Sequence, residues 1–299
     1  MKSSDSKIII GIDVGGTKIM AGAIYPDGEL ACEPLTVDTN AGDDGESIAG
    51  RILDSIDKIC RVRVSDSSEI LGIGMGVTGP LDPESGTILE CPQLPTMHFY
   101  PLKQKVAERF NIPVFMDNDA NALLLGESVW GAGRGHRTTL GFTLGTGLGC
   151  AIVNDKRLFT GTNGMAGEIW PSPLGGGIIE DIVSGQGVSS TYFKLSNQKK
   201  TSKEIASLAR EGDADAIETW NIFGATLAIP LAWGINFIDP GIVILGGSIA
   251  NSTDLFINSL EGALRKHLCP VPALKTRIVR AELGDSSGFI GAAALVMQA

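Results

Sequence analysis

Three polar residues in a row, Asp117, Asn118 and Asp119, are the ones most able to do chemistry in this sequence. An apolar strand predicted over 114–116 leads to them, and the pattern after them predicts a helix. One Asp or Asn at a helix start would be explained as an N-cap, because its side chain accepts hydrogen bonds from free backbone N–H groups. Three together at the carboxyl end of a strand, where α/β proteins place their ligands, indicate a functional site. Asp119 is the candidate catalytic base.

Two glycine-rich turns carry groups that can bind phosphate. The segments DVGGTK (13–18) and TLGTGLG (143–149) each place glycines and a threonine between two apolar strands. Their backbone N–H groups, hydroxyls and capacity for positive φ suit an anion, although a tight hairpin that needs glycine explains each turn alone. We expect neither a Walker A loop nor a dinucleotide site, because no helix follows these turns or the GxGxG segment at 72–76. The recurrence suggests that each of two domains begins with the same phosphate-facing hairpin.

A third glycine pair and an isolated carboxylate complete the candidates. Gly246 and Gly247 follow an apolar strand predicted over 242–245 and would let the backbone approach adenine or ribose. A simple strand-to-helix turn explains that pair equally well. Asp13 lies at a strand end between uncharged neighbours, where a carboxylate is costly unless it is solvated or paired with a cation. A hydrated magnesium ion would satisfy Asp13.

Length and composition narrow the classes of function. A chain of 299 residues predicts two domains, with a cleft between them. The 34 acidic and 24 basic residues give a net charge of −10, which disfavours nucleic acid and anionic membranes as partners. A bound polyanion would therefore be held by backbone N–H groups and a metal, which indicates a nucleotide. Five scattered cysteines without a CxxC pair fit a reducing cytoplasm.

No segment of the sequence predicts a targeting or membrane element. The apolar run at 8–10 is too short for a signal peptide. The uncharged stretch 223–238 contains Pro230 and Gly234 and falls short of a membrane span, so we interpret it as a buried helix.

The elements that must position these residues form two α/β halves. In the first, strands are predicted over 7–14, 19–25, 29–36, 70–75 and from Pro113, with helices over 102–110 and around an isoleucine repeat at 48, 52, 56 and 59. In the second, strands are predicted over 138–144, 150–154, 242–245 and 276–281, with helices over 182–195, 202–210, 214–238 and 255–268 and a last one from Gly288.

Taken in order, these motifs resemble the ROK family of sugar kinases within the actin/hexokinase/Hsp70-like superfamily. The resemblance covers almost the whole chain, through GIDVGGTK (11–18), GVTGPLD (76–82), DNDANA (117–122), LGTGLG (144–149), GxxGMAGE (161–168), VILGGS (243–248) and FIGAAAL (289–295). It implies an α/β, two-domain, ribonuclease H-like fold with an interdomain cleft. Residues 1–117 plus about 285–299 would form a small N-terminal domain, and 118–284 a large C-terminal domain.

The resemblance also implies an activity, the transfer of the γ-phosphoryl group of ATP to the 6-hydroxyl of a hexose. Glucose is the default acceptor, with N-acetylmannosamine, N-acetylglucosamine and fructose as alternatives. Asp119 would be the base, and the sugar ligands would be Asn118, Asp119, Glu168, Glu180 and Gly79. The nucleotide would contact both glycine turns and the third glycine pair: Gly15, Gly16, Thr17 and Lys18, then Gly145, Thr146 and Gly147, then Gly246 and Gly247. Asp13 would hold Mg²⁺ through water. The partners implied are sugar and ATP in the cytoplasm, without nucleic acid or membrane; a homodimer is left open.

The sequence departs from the family pattern around the second group of sugar ligands. Members of the family usually have a histidine soon after the first glutamate and then a cysteine cluster, which together hold zinc. Here Ile169, Trp170 and Pro171 follow Glu168, and no cysteine precedes Glu180. We therefore expect no zinc site, since a structural site needs four converging N or S ligands. The ring of Trp170 would either cover an apolar face of the sugar or fill the core.

A smaller departure is Thr78, which stands where proline is usual in a loop that borders the sugar.

Three other functions compete with the kinase. A sugar-responsive repressor of the same family would carry a helix-turn-helix ahead of the sugar domain, but Asp13 lies almost at the start of this sequence. A non-catalytic sugar sensor would not need Asp13, Thr17 and Asp119. An NAD(P)-dependent oxidoreductase rests on the GxGxG pattern alone.

Overall fold

The computed structural model describes residues 7–63, 69–89, 91–270 and 275–298. Its strands are β1 (Ile8–Val14), β2 (Lys18–Ile24), β3 (Leu35–Asp38), β4 (Ile70–Val77), β5 (Leu81–Asp82), β6 (Thr87–Ile88), β7 (Val114–Asn118), β8 (Thr138–Leu144), β9 (Leu148–Asn154), β10 (Arg157–Leu158), β11 (Pro173–Leu174), β12 (Gly177–Ile178), β13 (Ile242–Gly246) and β14 (Arg277–Arg280). Its α-helices are α1 (Gly45–Arg63), α2 (Leu102–Phe110), α3 (Asp119–Trp130), α4 (Gly185–Ser196), α5 (Ser202–Arg210), α6 (Ala214–Ile238), α7 (Thr253–Leu264) and α8 (Ser287–Ala294).

Internal packing divides the chain into two units, and each contains the same five-stranded sheet. The first unit comprises the described residues up to Arg134 and from Glu282, and the second is Gly135–Ala281. The strand order is β3-β2-β1-β4-β7 in the first unit and β10-β9-β8-β13-β14 in the second. In both sheets the first three strands pair antiparallel and the last two join in parallel. The repeat predicted from the two glycine turns is confirmed at the level of topology.

Several predicted elements begin or end elsewhere. The strand expected over 29–36 is replaced by the short β3 after Pro34, whose ring removes a ladder donor. Strand β9 begins at Leu148, two residues earlier than predicted, because it pairs with Leu144 directly across the turn. Helix α4 begins only at residue 185, where the hydroxyl of Ser184 accepts the N–H of Gly187 at 2.9 Å and caps the helix. Helix α7, predicted over 255–268, spans 253–264 instead.

The sheet of the first unit has an apolar layer on each face. On one face the four isoleucines of the predicted helical repeat, at 48, 52, 56 and 59, are all buried in the core. On the other face Ile9, Met20 and Ile24 pack against Phe289 and Ile290 of α8. A sheet covered on both sides explains why its central strands are apolar at nearly every position.

The GxGxG segment at 72–76 makes room for a helix. A Cβ at Gly74 would overlap the carbonyl oxygen of Ala292 in α8, and a Cβ at Gly11 would overlap that of Phe289. Helix α8 thus lies directly on β1 and β4, closer than any side chain would allow. These glycines therefore serve the packing of α8 on the sheet.

A buried carboxylate ties α3 to the segment that leads into α8. Glu127 is fully buried and accepts backbone N–H groups from Ala132 at 2.9 Å, Glu282 at 3.1 Å and Leu283 at 2.9 Å. This packing groups α3 with the strand that precedes it, whereas the sequence prediction placed it beyond a domain boundary at residue 117.

The core of the second unit is built around α6. Trp220 and Phe223 of this helix pack against Phe256, with ring centroids 6.0 and 5.0 Å from it, respectively. By length and composition α6 would also qualify as a membrane span, a test that buried core helices pass as well. Its buried face, from Ala216 to Ile235, matches the buried helix predicted from sequence.

Candidate active site

The junction of β7 and α3 is shaped by two of the three polar residues found there. Asn118 is extended and caps α3, with its Oδ1 accepting the N–H of Asn121 at 2.7 Å. Asp117 is buried, and its Oδ1 accepts the backbone N–H of Asn118 and the side-chain amide of Asn121, both at 2.8 Å. The pKa of Asp117 is raised, because the effect of burial exceeds the opposing effect of these two hydrogen bonds. The N-cap explanation therefore applies to Asn118, and a catalytic role for Asp119 stays a prediction.

Asp119 is the exposed member of the three. It is the first residue of α3, where the positive end of the helix dipole favours a carboxylate. The two residues before it supply the cap and the buried hydrogen bonds, which fix the start of α3. Asp is one of the residue types that act as general bases, so the prediction for Asp119 is compatible with this position.

Asp13, at the end of β1, lies within electrostatic reach of Asp119. Burial, and then the charge of Asp119, raise the pKa of Asp13 from 3.8 to about 7, while Lys18 lowers it. Gly288, in the first turn of α8, lies close to Asp13. A Cβ at Gly288 would overlap a carboxylate oxygen of Asp13, so the absence of a side chain there makes room for the carboxylate. Two carboxylates with little compensating charge are the oxygen donors that Mg²⁺ prefers. The residues present therefore fit a magnesium ion.

The first glycine turn is fixed by backbone hydrogen bonds. The N–H of Gly15 donates to the carbonyl of Lys18 at 3.0 Å, and the hydroxyl of Thr39 donates to the carbonyl of Gly15 at 2.7 Å. Gly15 and Gly16 do not adopt positive φ, so the conformational reason inferred from the sequence is wrong. Close approach favours glycine at Gly16 instead, where a Cβ would lie 3.0 Å from Gln93. Thr17 and Lys18 are exposed at the tip.

The second glycine turn is braced by the segment over 180–185. Glu180 Oε2 accepts the N–H of Leu148 at 2.8 Å, and the N–H of Gly185 donates to the carbonyl of Gly145 at 2.7 Å. Gly145 and Gly147 lack positive φ too, but a Cβ at Gly147 would come within 2.5 Å of Glu180 Oε2. Glycine at 147 thus leaves room for the carboxylate in this position. Glu180, expected as a sugar ligand, is bonded to the turn expected to face phosphate.

A pocket of about 450 Å³ opens beside the second turn. Its lining residues are mostly small and hydroxylated: Gly145, Thr146, Gly185, Gln186, Ser189, Ser190, Thr201, Ser202 and Ser248. Of the described residues that line it, none is cationic, so it suits the uncharged polar parts of a ligand. Sequence reasoning missed the contribution of α4 and α5; the available signal was the serine- and glycine-rich segment at 184–190 that begins α4.

Gly246 and Gly247 lie at the end of β13, next to the same pocket. Gly247 has φ of +82°, and a Cβ there would overlap the backbone of Leu144. Position 247 therefore needs glycine both for its positive φ and for the close approach to Leu144. The next residue, Ser248, lines the pocket.

Gly79, another predicted sugar contact, lies in the first unit. Its φ is +90°, and a Cβ there would overlap Sγ of Cys91. The thiol of Cys91 in turn lies 3.1 Å from the carbonyl of Thr78, the residue found where the family has proline. The loop therefore has a structural need for glycine at this position whether or not it contacts a sugar.

Glu168 is held at the edge of β9. Gly167 has φ of +96°, and a Cβ there would overlap the carbonyl of Cys150 in β9. The charge of Glu168 adds to burial in raising the pKa of the Cys150 thiol to about 12. Trp170 Nε1–H donates to Glu168 Oε2 at 2.9 Å. The carbonyl of Trp170 also accepts the N–H of Glu180 at 3.4 Å, so one residue contacts both glutamates.

A β-hairpin stands where the family has its cysteine cluster. Strands β11 and β12 pair across Gly175 and Gly176, whose φ values of +59° and +91° are those of a type I′ turn. Asp181 Oδ2 accepts the N–H of Ile178 at 2.9 Å at the end of this hairpin. Within the described ranges no group of three or more His, Cys, Asp or Glu side chains could hold a metal. Backbone hydrogen bonds therefore order this segment.

Comparison with known proteins adds family relationships to this geometry. A family model described as "ROK family" matches residues 9–299. A glucokinase from Thermotoga maritima is 31% identical, with 97% of each chain covered. An N-acetyl-D-glucosamine kinase from Photobacterium profundum is 32% identical, covering 95% of this chain and 98% of its own.

A solved structure has the same fold. It is a ROK family glucokinase from Streptomyces griseus in complex with glucose and AMPPNP, 27% identical with a TM-score of 0.82, and 98% of this chain and 100% of that chain are covered. With the sheet that recurs in both units, this likeness confirms the α/β, actin/hexokinase-like fold class predicted from the sequence.

Proposed function

The chain belongs to the ROK family, and from that premise we propose that it is a sugar kinase, a phosphotransferase with an alcohol acceptor. The reaction is the transfer of the γ-phosphoryl group of ATP to the 6-hydroxyl of a hexose, with glucose as the first acceptor to test. The observation that carries this proposal is the pairing of an exposed Asp119 with a half-buried Asp13 at the end of one sheet. A base and a cation-binding carboxylate are the two groups that phosphoryl transfer requires of a protein.

Asp119 accepts the proton of the attacking hydroxyl. Phosphoryl transfer has a loose transition state, so the main work of the protein is to align the hydroxyl with the phosphorus and to balance charge. Asn118 and Asp119 hold the sugar from the β7–α3 junction, and Gly79 contacts it from its own loop. The hydrogen bonds of Asp117 and Asn118 give Asp119 a fixed place from which to act.

Bound Mg²⁺ would neutralise charge on the transferring phosphoryl group, and Asp13 would hold it through water. Lys18 supplies a second positive charge at the tip of the first turn, beside Thr17 and the backbone of Gly15 and Gly16.

The nucleotide occupies the second unit. The uncharged, hydroxyl-rich pocket receives the nucleoside, and Gly246 and Gly247 bring backbone up to it. The turn that contains Gly145, Thr146 and Gly147 faces the phosphates with backbone N–H groups, as an acidic protein requires.

The hydroxyl groups of the sugar are bound by Glu168 and Glu180. The glucokinase from Thermotoga maritima and the N-acetyl-D-glucosamine kinase from Photobacterium profundum are about equally similar to this chain. Identity therefore does not separate glucose from an N-acetylhexosamine, and N-acetylmannosamine and fructose stay alternatives. We place the enzyme in the cytoplasm, because that is where free sugars meet ATP, and a homodimer is the assembly we would test first.

The deciding experiment is ATP- and Mg²⁺-dependent phosphorylation across glucose, mannose, fructose, N-acetylglucosamine and N-acetylmannosamine. We expect turnover with at least one of them, and a 6-phosphate product identified by NMR. Asp119→Asn is the matched control for contaminating kinases. Sugar binding by calorimetry without turnover on any acceptor would refute the kinase and favour the non-catalytic sensor.

A further inference from the structure

Trp170 contacts both of the glutamates that are assigned to the sugar, Glu168 and Glu180. Its indole N–H donates to Glu168 Oε2 at 2.9 Å, and its carbonyl accepts the N–H of Glu180. The backbone around it is also fixed, since the N–H of Ser172 donates to the carbonyl of Ile169 at 3.0 Å. The indole therefore extends from an ordered loop.

The exposure of Trp170 argues against a core-filling role. It is 41% exposed, whereas Trp220 in the centre of the same unit is 1% exposed. Trp170 is also absent from the apolar cluster that forms the core of this unit. Exposed hydrogen bonds to a carboxylate contribute little to folding stability. The bond to Glu168 is therefore not needed to hold the fold together.

An indole is well suited to orient a carboxylate. Its N–H is a donor only, so it bonds to the ionised acceptor and does not compete for the hydroxyl protons of a ligand. The ring has two torsions, whereas the glutamate chain has three, so pairing them restricts the more flexible partner. With Oε2 engaged by Trp170, the Glu168 carboxylate has fewer orientations open to it.

We propose that Trp170 is a positioning residue for the acceptor sugar, whose indole N–H holds the Glu168 carboxylate in the orientation that accepts the sugar hydroxyls. The inference rests on the proposed function, because it takes Glu168 to be a sugar ligand. It explains how this chain orders its sugar site with tryptophan and a β-hairpin at the positions of the missing histidine and cysteines.

The first test is Trp170→Phe, which keeps an aromatic ring and removes the N–H. Losing a hydrogen bond to a charged group changes binding by roughly 10- to 150-fold, and water can replace part of an exposed bond. We therefore expect the sugar KM to rise roughly 3- to 30-fold, with kcat and the ATP KM changed less than about twofold. Trp233→Phe on α6 is the matched control, since Trp233 is 39% exposed in the same unit; it should leave all three constants unchanged.

A double-mutant cycle separates positioning from direct contact. If Trp170 acts through Glu168, then Trp170→Phe should have no further effect on the sugar KM in a Glu168→Ala background, which leaves no acceptor for the indole N–H. The same fold-increase in both backgrounds would mean that the ring touches the sugar by itself, and would overturn the proposal. The proposal would also be overturned if Trp170→Phe had a normal sugar KM while Glu168→Gln had a raised sugar KM.

The proposed function fails in a different way. A Glu168→Gln enzyme with a normal sugar KM would remove Glu168 from the sugar site, whatever Trp170 does. Thermal unfolding of each variant shows whether it is folded, and the unchanged ATP KM expected for Trp170→Phe provides an internal check that its second substrate site is intact.

Discussion

Asp119 and Asp13 are both aspartates at the end of the same sheet, but their surroundings assign them different chemistry. Asp119 is exposed on the first turn of α3, and Asp13 is enclosed by β1 and the first turn of α8. In the proposed reaction the exposed carboxylate accepts the proton of the bound hydroxyl. A half-buried one with its pKa raised to about 7 is protonated over a wider pH range, and a bound cation would favour its ionised form.

Replacing Asp119 by Asn removes the proposed base and keeps the helix start, since Asn is also favoured there. We expect kcat to fall by at least about 10²-fold, the lower end for loss of general-base catalysis, with sugar affinity changed much less. Steady-state kinetics and calorimetry measure the two quantities. A variant with near-normal kcat would exclude Asp119 from the mechanism.

Asp13 should make stability depend on pH when Mg²⁺ is absent. Its pKa is about 7 in the folded protein against 3.8 ordinarily, so between these values the folded state holds a proton that the unfolded chain has lost. Raising the pH through this window therefore lowers stability. Asp13→Asn removes the effect, so the stability of the variant relative to the original protein should increase from about pH 4 to about pH 7 and then level off. Urea unfolding at several pH values measures this, and a difference that does not vary with pH would contradict it.

Glu180 should affect both substrates. Its carboxylate accepts the N–H of Leu148 in the turn assigned to the phosphates, and it is also assigned to the sugar. Glu180→Gln removes the charge that strengthens this bond, so we expect the KM for ATP and the KM for sugar both to rise, roughly 3- to 30-fold. Glu168→Gln should raise the sugar KM alone. If Glu180→Gln changes only the sugar KM, the bond to Leu148 does not support nucleotide binding.

At the scale of elements, the contact of α8 with the sheet of the first unit depends on missing side chains. Gly11 and Gly74 admit the helix backbone, and α8 begins beside Asp13. The position of this helix therefore also defines the enclosure of the proposed magnesium ligand. A substitution far from any substrate could alter the site through α8.

Gly74→Ala tests this packing. The added Cβ would overlap the carbonyl of Ala292, so we expect a loss of about 1–3 kcal/mol in the free energy of unfolding from overpacking. Gly50→Ala in α1 is the matched control, because a Cβ at Gly50 meets no atom within 4 Å. That change should stabilise the protein by roughly 0.5–1 kcal/mol through helix propensity. Denaturant unfolding compares them, and equal stabilities would show that α8 can shift at no cost.

At the scale of the whole molecule, the missing zinc ligands should show in metal content. The β11–β12 hairpin is ordered by its turn and by Asp181 in the segment where zinc would be expected to bind. We expect the purified protein to contain far less than one zinc per chain, and EDTA to leave its thermal midpoint unchanged. Elemental analysis and a melting curve test this together. Stoichiometric zinc with a chelator-sensitive midpoint would disprove the expectation.

The sequence alone was enough for the parts of this protein that depend on local pattern. The isoleucine repeat of α1, the bounds of α2, α5 and α6, and the strands around both glycine turns follow from periodicity and turn chemistry, which act within a few residues. The ordered motifs also placed the chain in its family, because each was recognisable without knowledge of its neighbours in space.

Only the tertiary structure decided why particular residues are needed. Gly74 admits α8 and Gly147 admits Glu180, yet neither partner is close in sequence. Glu127 looks like an ordinary helical glutamate until residues 282–283 return to it. The pocket beside the second turn draws on α4, α5 and Ser248, and the bond from Trp170 to Glu168 depends on side-chain direction in a loop without periodicity. Close approaches and buried hydrogen bonds between distant segments leave no local pattern to read, and they complete the site.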